Sequence, residues 1–292
     1  MEINKLFDEY YKKNLMQAGT SCCPGCGGTL FWRMAMEALG PKTIIFGTAP
    51  CAGCATENLM VPKFNLHFSF VADGASGIVA ALAAKEREDI TVVSVGGDGA
   101  VADISFGKVS AAAERNDNMI QICIDNEAYM NTGIQKSGLT PIGAWTTTTP
   151  SGKETPKKRI PMIMAQHSIP YTAMVSVAYP KDLKAKIEKA KGIKGFKYIH
   201  TLMPCPTGWR FEPEKSVEVT RLGVETWISP LWEVEDGVLK LTLNPKQKPV
   251  EEYLNTQRRF RHLSKEQIQF IQSQVDTNRQ RLLEFDGKNI II

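Results

Sequence analysis

Gly97-Asp98-Gly99 and the later Asn126 are the residues whose type and spacing most directly suggest chemistry. The 26 residues between Gly99 and Asn126 are enough for one helix and one strand. That spacing brings Asp98 and Asn126 to the carboxyl ends of adjacent parallel strands, where open α/β sheets bind ligands. The glycines let backbone N–H groups approach a phosphate, and a following helix offers its positive N-terminus. A carboxylate with an amide oxygen opposite is a hard oxygen set suited to Mg²⁺ bridging a diphosphate. Alone, Gly-Asp-Gly is also an ordinary turn; between a buried strand and a helix, with Asn at this distance, it reads as a metal–phosphate site.

Cysteine is the second source of chemistry. Cys22, Cys23, Cys26, Cys51, Cys54 and Cys205 fall in small groups or near Pro and Gly, and Cys123 stands alone. Cys23-x-x-Cys26 and Cys51-x-x-Cys54 have the form of a four-thiolate zinc knuckle, although the 24 residues between the pairs exceed ribbon spacing. Cys205 has no role in that arrangement. The competing set is Cys23, Cys26, Cys51 and Cys205 around a [4Fe–4S] cluster, and spacing alone leaves both open. Thioredoxin-type chemistry is weaker, since no strand leads into Cys23. Residues 125–135 (DNEAYMNTGIQ), continuing at 143–149 (GAWTTTT), put Asn, Tyr and Thr past a strand end, either to bind substrate oxygens or to bond within a loop. His67, His167, His200 and His262 are dispersed and read as structural or surface residues.

These residues need a scaffold. With 292 residues, 43% of them hydrophobic, the chain can build a core without disulfide staples. A net charge of +4 is too small to argue for nucleic acid. No apolar run is long enough to span a bilayer and no signal-peptide layout opens the chain, so a reducing, cytoplasmic setting is expected. Continuous apolar strands at 43–47, 90–95, 119–125, 171–178 and 197–202 alternate with helices at 30–39, 73–85, 102–115, 161–167 and 180–191. That rhythm means a doubly wound, mostly parallel α/β sheet covered on both faces. Residues 22–28 and 49–55 read as loops, and 96–99 as a tight turn. Residues 136–160 form a long aperiodic stretch of the kind that is functional or tied down by a partner. A helix over 264–285 is expected, with Ser264 and Gln267 as a capping box and Ile268, Ile271 and Val275 on one face. Three regions follow: an arm at 1–21, the α/β domain at 22–205, and an extension at 206–292 that contacts partner subunits.

The Gly-Asp-Gly and Asn pair resembles the thiamine diphosphate fingerprint. In that fingerprint the Asp and Asn side chains and one backbone carbonyl hold the Mg²⁺ that anchors the diphosphate. Residue by residue, this gives Asp98 and Asn126 as side-chain ligands and Ala128 as the carbonyl, with Gly97 and Gly99 beside them. CxxCG at 23–27, Cys51, the 125–135 segment, TPIGAWTTTTP at 140–150 and PCPTGW at 204–209 extend the likeness over most of the chain. It resembles the β subunit of the multi-subunit 2-oxoacid:ferredoxin oxidoreductases of the pyruvate synthase type.

The resemblance implies Cys23, Cys26, Cys51 and Cys205 as the [4Fe–4S] ligands, with Cys22 and Cys54 as departures from the family pattern. It implies Asn131 beside the substrate, and Cys51 as both a cluster ligand and a neighbour of the thiamine. The implied reaction is oxidative decarboxylation of pyruvate to acetyl-CoA and CO₂, or its reverse, with electrons passed to ferredoxin. Oxalate or another 2-oxoacid is the near alternative; a zinc-stabilised, non-catalytic interaction subunit is the distant one. An α subunit would supply the pyrimidine-binding domain with its activating Glu, and γ and δ subunits would include a ferredoxin-like chain. Coenzyme A and the 2-oxoacid complete the implied partners; neither nucleic acid nor membrane is among them.

Overall fold

The computed structural model describes residues 15–48 and 51–291. Of the arm expected at 1–21, residues 1–14 lie outside the described residues. In chain order come α1 (Gly27–Leu39), β1 (Thr43–Thr48), α2 (Cys51–Thr56), β2 (Lys63–Leu66), α3 (Asp73–Ala84), β3 (Thr91–Gly97), α4 (Phe106–Glu114) and β4 (Ile120–Asp125). After the long irregular stretch follow α5 (Ile160–Ala165), β5 (Tyr171–Ser176), α6 (Pro180–Gly192) and β6 (Lys197–Leu202). The remaining elements are α7 (Pro206–Trp209), α8 (Ser216–Glu225), β7 (Trp232–Glu235), β8 (Val238–Leu241), α9 (Val250–Leu254) and α10 (Lys265–Phe285).

Among the described residues the strands form one sheet in the order β2-β1-β3-β4-β6-β5-β7-β8. The pairings from β2 through β5 are parallel, and those of β7 with β5 and with β8 are antiparallel. Alternate residues of each apolar strand feed opposite cores. Val93, Val95, Ile120 and Ile122 pack with Phe31, Trp32, Leu183 and Ile187 under α1 and α6. Val92, Met119 and Cys123 face Val109, Ala112 and Met164 on the other side. A sheet buried on both faces explains why these strands lack polar alternation. No described helix is long and apolar enough to cross a membrane.

Several local expectations change. The second cysteine loop contains a short helix, α2, that begins at Cys51. Helix α1 starts at Gly27 rather than residue 30, because the Cys26 side chain caps it and accepts from the Gly28 N–H. Residues 96–99 make no tight turn. β3 runs to Gly97, and Gly99 has right-handed helical angles (φ −66°, ψ −30°). A π-helical turn at Ala100–Ile104 follows, with the Ser105 N–H donating to the Ala100 carbonyl at 2.8 Å. The expected extension is continuous with the sheet, adding β7 and β8, and its Trp209, Val219 and Phe260 pack against Leu202 of β6 and Ala144. The capping box at Ser264 and Gln267 is present, and Ile271 and Val275 are buried.

Candidate active site

β1, β3, β4 and β6 are consecutive neighbours in the sheet, and their carboxyl ends lead to Cys51, Asp98, Asn126 and Cys205 respectively. The chain leaves β1 toward β2 on one side and returns to β3 on the other, which opens a crevice at these ends. Cys51, Gly97, Asp98, Gly99, Asn126, Ala128 and Asn131 all line one cleft there, with Phe68, Tyr129 and Met130.

Asp98, Asn126 and Ala128 are buried, whereas Asn131 is exposed at the rim. One end of the Asn126 carboxamide lies 3.0 Å from Asp98 Oδ1 and 2.8 Å from the Ala128 carbonyl oxygen. Without a cation that end must be the NH₂, donating to both. With its oxygen turned inward, its separations from the other two oxygens match the edge of an octahedron whose metal–oxygen bonds are about 2.0–2.1 Å, those of Mg²⁺. The donor set therefore fits the ion. Burial, and then the charge of Asp125, push Asp98 well above the usual carboxylate range, while the Ser137 hydroxyl donates to its Oδ2. A divalent cation would reverse that push. A Cβ on Gly97 would point into open space, so its absence leaves room in the cleft; a Cβ on Gly99 would instead strike the Tyr129 ring.

The residues between the oxygen donors are held by a buried charge network. Glu127, between Asn126 and Ala128, has φ +69°, a conformation costing a non-glycine residue about 1–3 kcal/mol. Its Oε1 accepts from Lys157 at 2.7 Å and its Oε2 from Arg259 at 2.5 Å. Asp125 Oδ2 accepts from Lys157 at 2.5 Å and from His200 Nε2 at 2.9 Å. Burial alone would raise Asp125, but the Lys157 ammonium and His200 bring it below the usual range. The Trp209 indole N–H donates to the Asn126 carbonyl at 2.8 Å, and Arg259 stacks over that indole at 4.2 Å. Ser137, Lys157, His200 and Arg259 carry no sequence signal as site residues, and Trp209 only as the end of the PCPTGW segment. The available clue was DNE itself, two carboxylates flanking Asn126 at the end of a buried strand, which demand cations from elsewhere.

The described cysteines are all free. Cys26 and Cys205 cap helices, their sulfurs accepting from the Gly28 and Gly208 N–H groups at 3.4 and 3.3 Å, and Cys51 opens α2. The thiols feel one another. Burial, then Cys205 and Cys54, push Cys51 up to about 12. A hydrogen bond with Cys22 and burial raise Cys26, while the same bond lowers Cys22 to about 6. Burial raises Cys54 and Cys205, with Cys23 adding to Cys205. Such mutual destabilisation of thiolates is relieved by a cationic centre among them. Among the described residues no three His, Cys, Asp or Glu side chains converge as ligands of one metal ion. Neither the Cys23–Cys26–Cys51–Cys54 set nor the set with Cys205 is thus closed around a single ion.

A parallel α/β sheet whose strand ends gather Gly-Asp-Gly, Asn and a glycine-lined cleft defines a thiamine diphosphate-binding domain. The family model for the thiamine pyrophosphate enzyme C-terminal TPP binding domain matches residues 57–201. Pyruvate synthase subunit PorB of Methanothermobacter thermautotrophicus is 47% identical over 282 residues, 93% of this chain and 98% of that one. Ketoisovalerate oxidoreductase subunit VorB of Pyrococcus horikoshii is 41% identical over 299 residues, 96% of each chain. Among solved structures, 2-oxoglutarate:ferredoxin oxidoreductase from Magnetococcus marinus aligns with a TM-score of 0.60 at 25% identity, covering 72% of this chain and 80% of that one. The chain belongs to the pyruvate synthase β-subunit family of thiamine diphosphate-dependent 2-oxoacid:ferredoxin oxidoreductases.

Proposed function

We propose that this chain anchors thiamine diphosphate through Mg²⁺ held by Asp98, Asn126 and the Ala128 carbonyl, and a [4Fe–4S] cluster through Cys23, Cys26, Cys51 and Cys205. It does so in a cytoplasmic complex that interconverts pyruvate and coenzyme A with acetyl-CoA and CO₂ and exchanges electrons with ferredoxin. When bound, the thiamine supplies a nucleophilic carbon for the 2-oxo group and the cluster an electron acceptor beside it. The observation that carries the reading is the convergence of the Asp98, Asn126 and Ala128 oxygens in a cleft that Cys51 and Asn131 also line. Gly97 leaves space for the phosphates. Asn131, exposed at the rim, is positioned to orient the substrate. Cys51, lining the same cleft, keeps the path from substrate to cluster short.

Cys205 has no place in a Cys23–Cys26–Cys51–Cys54 zinc set, yet it follows β6 in the same row of strand ends as Cys51, which favours the set that includes it. The activating glutamate and the outer clusters would come from partners: an α subunit with the pyrimidine-binding domain, and γ and δ subunits of which one is ferredoxin-like. Pyruvate is favoured because the relatives at 46–47% identity are pyruvate synthase subunits, whereas those named for ketoisovalerate stand at 41–43%.

The test is the complex purified anaerobically as wild type and as three variants. Asp98→Ala should lose Mg²⁺-dependent thiamine diphosphate binding with iron content near normal. Cys205→Ser should lose iron, and Cys54→Ser should keep it. Wild-type complex should reduce ferredoxin faster with pyruvate than with 2-oxoisovalerate. Turnover that survives Asp98→Ala, or iron lost with Cys54 rather than Cys205, would sink the assignment.

A further inference from the structure

We propose that Arg259, which lies outside the Gly-Asp-Gly domain in sequence, is a positioning residue for the metal–diphosphate loop. It fixes residues 126–128 in the one backbone course that aims the Asn126 carboxamide and the Ala128 carbonyl at Asp98. The inference rests on the thiamine–Mg²⁺ reading above and adds a residue to it.

Arg259 is 2% exposed and Glu127 1%, so neither charge is satisfied by water. The Arg259 guanidinium donates to Glu127 Oε2 at 2.5 Å and, through Nε, to Gln257 Oε1 at 2.9 Å. Its Cζ lies 4.2 Å from the centroid of the Trp209 ring, and that indole donates to the Asn126 carbonyl at 2.8 Å. The Arg259 carbonyl also accepts from the Trp145 N–H at 2.9 Å, tying the same point to the 140–150 segment. One side chain thus reaches the loop twice: at Glu127 directly, and at Asn126 through Trp209. Glu127 is also the residue with positive φ; its N–H and carbonyl are held by Asp125 Oδ1 and Thr140 Oγ1, and the grip on its carboxylate adds to that hold. Lys157 grips Oε1 but is partly exposed, and it divides its charge between Glu127 and Asp125. Among the described residues Arg259 pairs with no other carboxylate.

Partners that orient metal ligands commonly change metal affinity by about 10–100-fold when removed. The experiment uses the assembled complex, stripped of thiamine diphosphate and Mg²⁺ and titrated with both, with amide hydrogen exchange over residues 124–132. Arg259→Met should raise the thiamine diphosphate Kd at fixed Mg²⁺ by about tenfold or more, speed exchange at 126–129, and leave iron content unchanged. Arg259→Lys, keeping the charge but not the planar stack, should fall between. Leu254→Ala loosens the same hydrophobic cluster, and Leu254 makes no hydrogen bond to residues 126–128 among the described residues. It should lower thermal stability and leave Kd within about twofold. Equal Kd shifts in Arg259→Met and Leu254→Ala, or no shift in Arg259→Met, would overturn the proposal while leaving the cofactor reading intact. If Arg259→Met does not assemble, Arg259→Lys against Leu254→Ala decides by the same criterion. A wild-type complex that takes up no thiamine diphosphate would overturn both.

Discussion

A methyl group added at Gly97 or at Gly99 meets different surroundings, and the difference separates ligand space from protein packing. At Gly97 it enters the open cleft; at Gly99 it meets the Tyr129 ring, whose hydroxyl donates to the Gly99 carbonyl at 3.1 Å. Gly97→Ala is therefore expected to keep the melting temperature and weaken thiamine diphosphate binding. Gly99→Ala should lower the melting temperature by displacing Tyr129; calorimetry with cofactor titration reads both. A second residue-scale test is Lys197, nearly buried at the start of β6, its ammonium bonded to Asn118 Oδ1 and the Gly195 carbonyl. Burial lowers it to about 8, against about 10.4 in an unfolded chain. Between those values the unfolded state binds the extra proton, so stability rises with pH across that window. Lys197→Met should remove its share of the rise between about pH 8 and pH 10 in urea titrations. Lys153, lowered to about 8 by burial and by Lys136 and Lys157, keeps its own share. Asp98 and Asn126 were legible in the sequence because both sit at fixed offsets from apolar strands. Their supports Ser137, Lys157 and Arg259 were not, because the partner of a buried carboxylate is chosen by tertiary contact rather than spacing.

The central strands were readable because burial on both faces leaves uninterrupted apolar runs, and helix α10 because its cap and apolar face agree. Elements set by one or two residues escaped. α2 is a single turn and a half of small residues, too short to show a period. The π-helical turn after Asp98 has no compositional signature. The β7–β8 hairpin did have one. Asp236-Gly237 is a two-residue loop with both φ positive, +46° and +83°, the combination that type I′ turns require. The Pro-, Trp- and Glu-rich composition around it masks the alternation of its short strands. Gly237→Val should destabilise the protein by about 1–3 kcal/mol, since valine resists positive φ and its Cβ would crowd Asn289 and Ile291. Urea titration measures the loss; an unchanged midpoint would show the turn to be adaptable.

The molecule does not divide cleanly where the thiamine-type pattern ends. Trp209 and Arg259 are fully or nearly buried against the 126–128 loop, and β7 covers the edge of β5. A chain stopped after residue 205 would leave Glu127 without Arg259 and an uncovered strand edge. Losing one partner of a buried ion pair costs about 3–5 kcal/mol, a large part of a typical folding free energy. Such a fragment should show no near-ultraviolet circular dichroism and no cooperative melting; a sharp transition would make residues 22–205 self-sufficient after all.

That four adjacent strands each contribute one group also has a consequence in time. Cys51 and Cys205 are 154 residues apart in sequence (205 − 51), and a ribosome adding about 5–20 residues per second needs roughly 8–30 s to cover that interval. During synthesis the early thiols are therefore finished long before the last one leaves the exit tunnel. Anything requiring both Cys51 and Cys205 can be loaded only once residue 205 has been added and has emerged, which makes insertion a late step of synthesis or one that follows it.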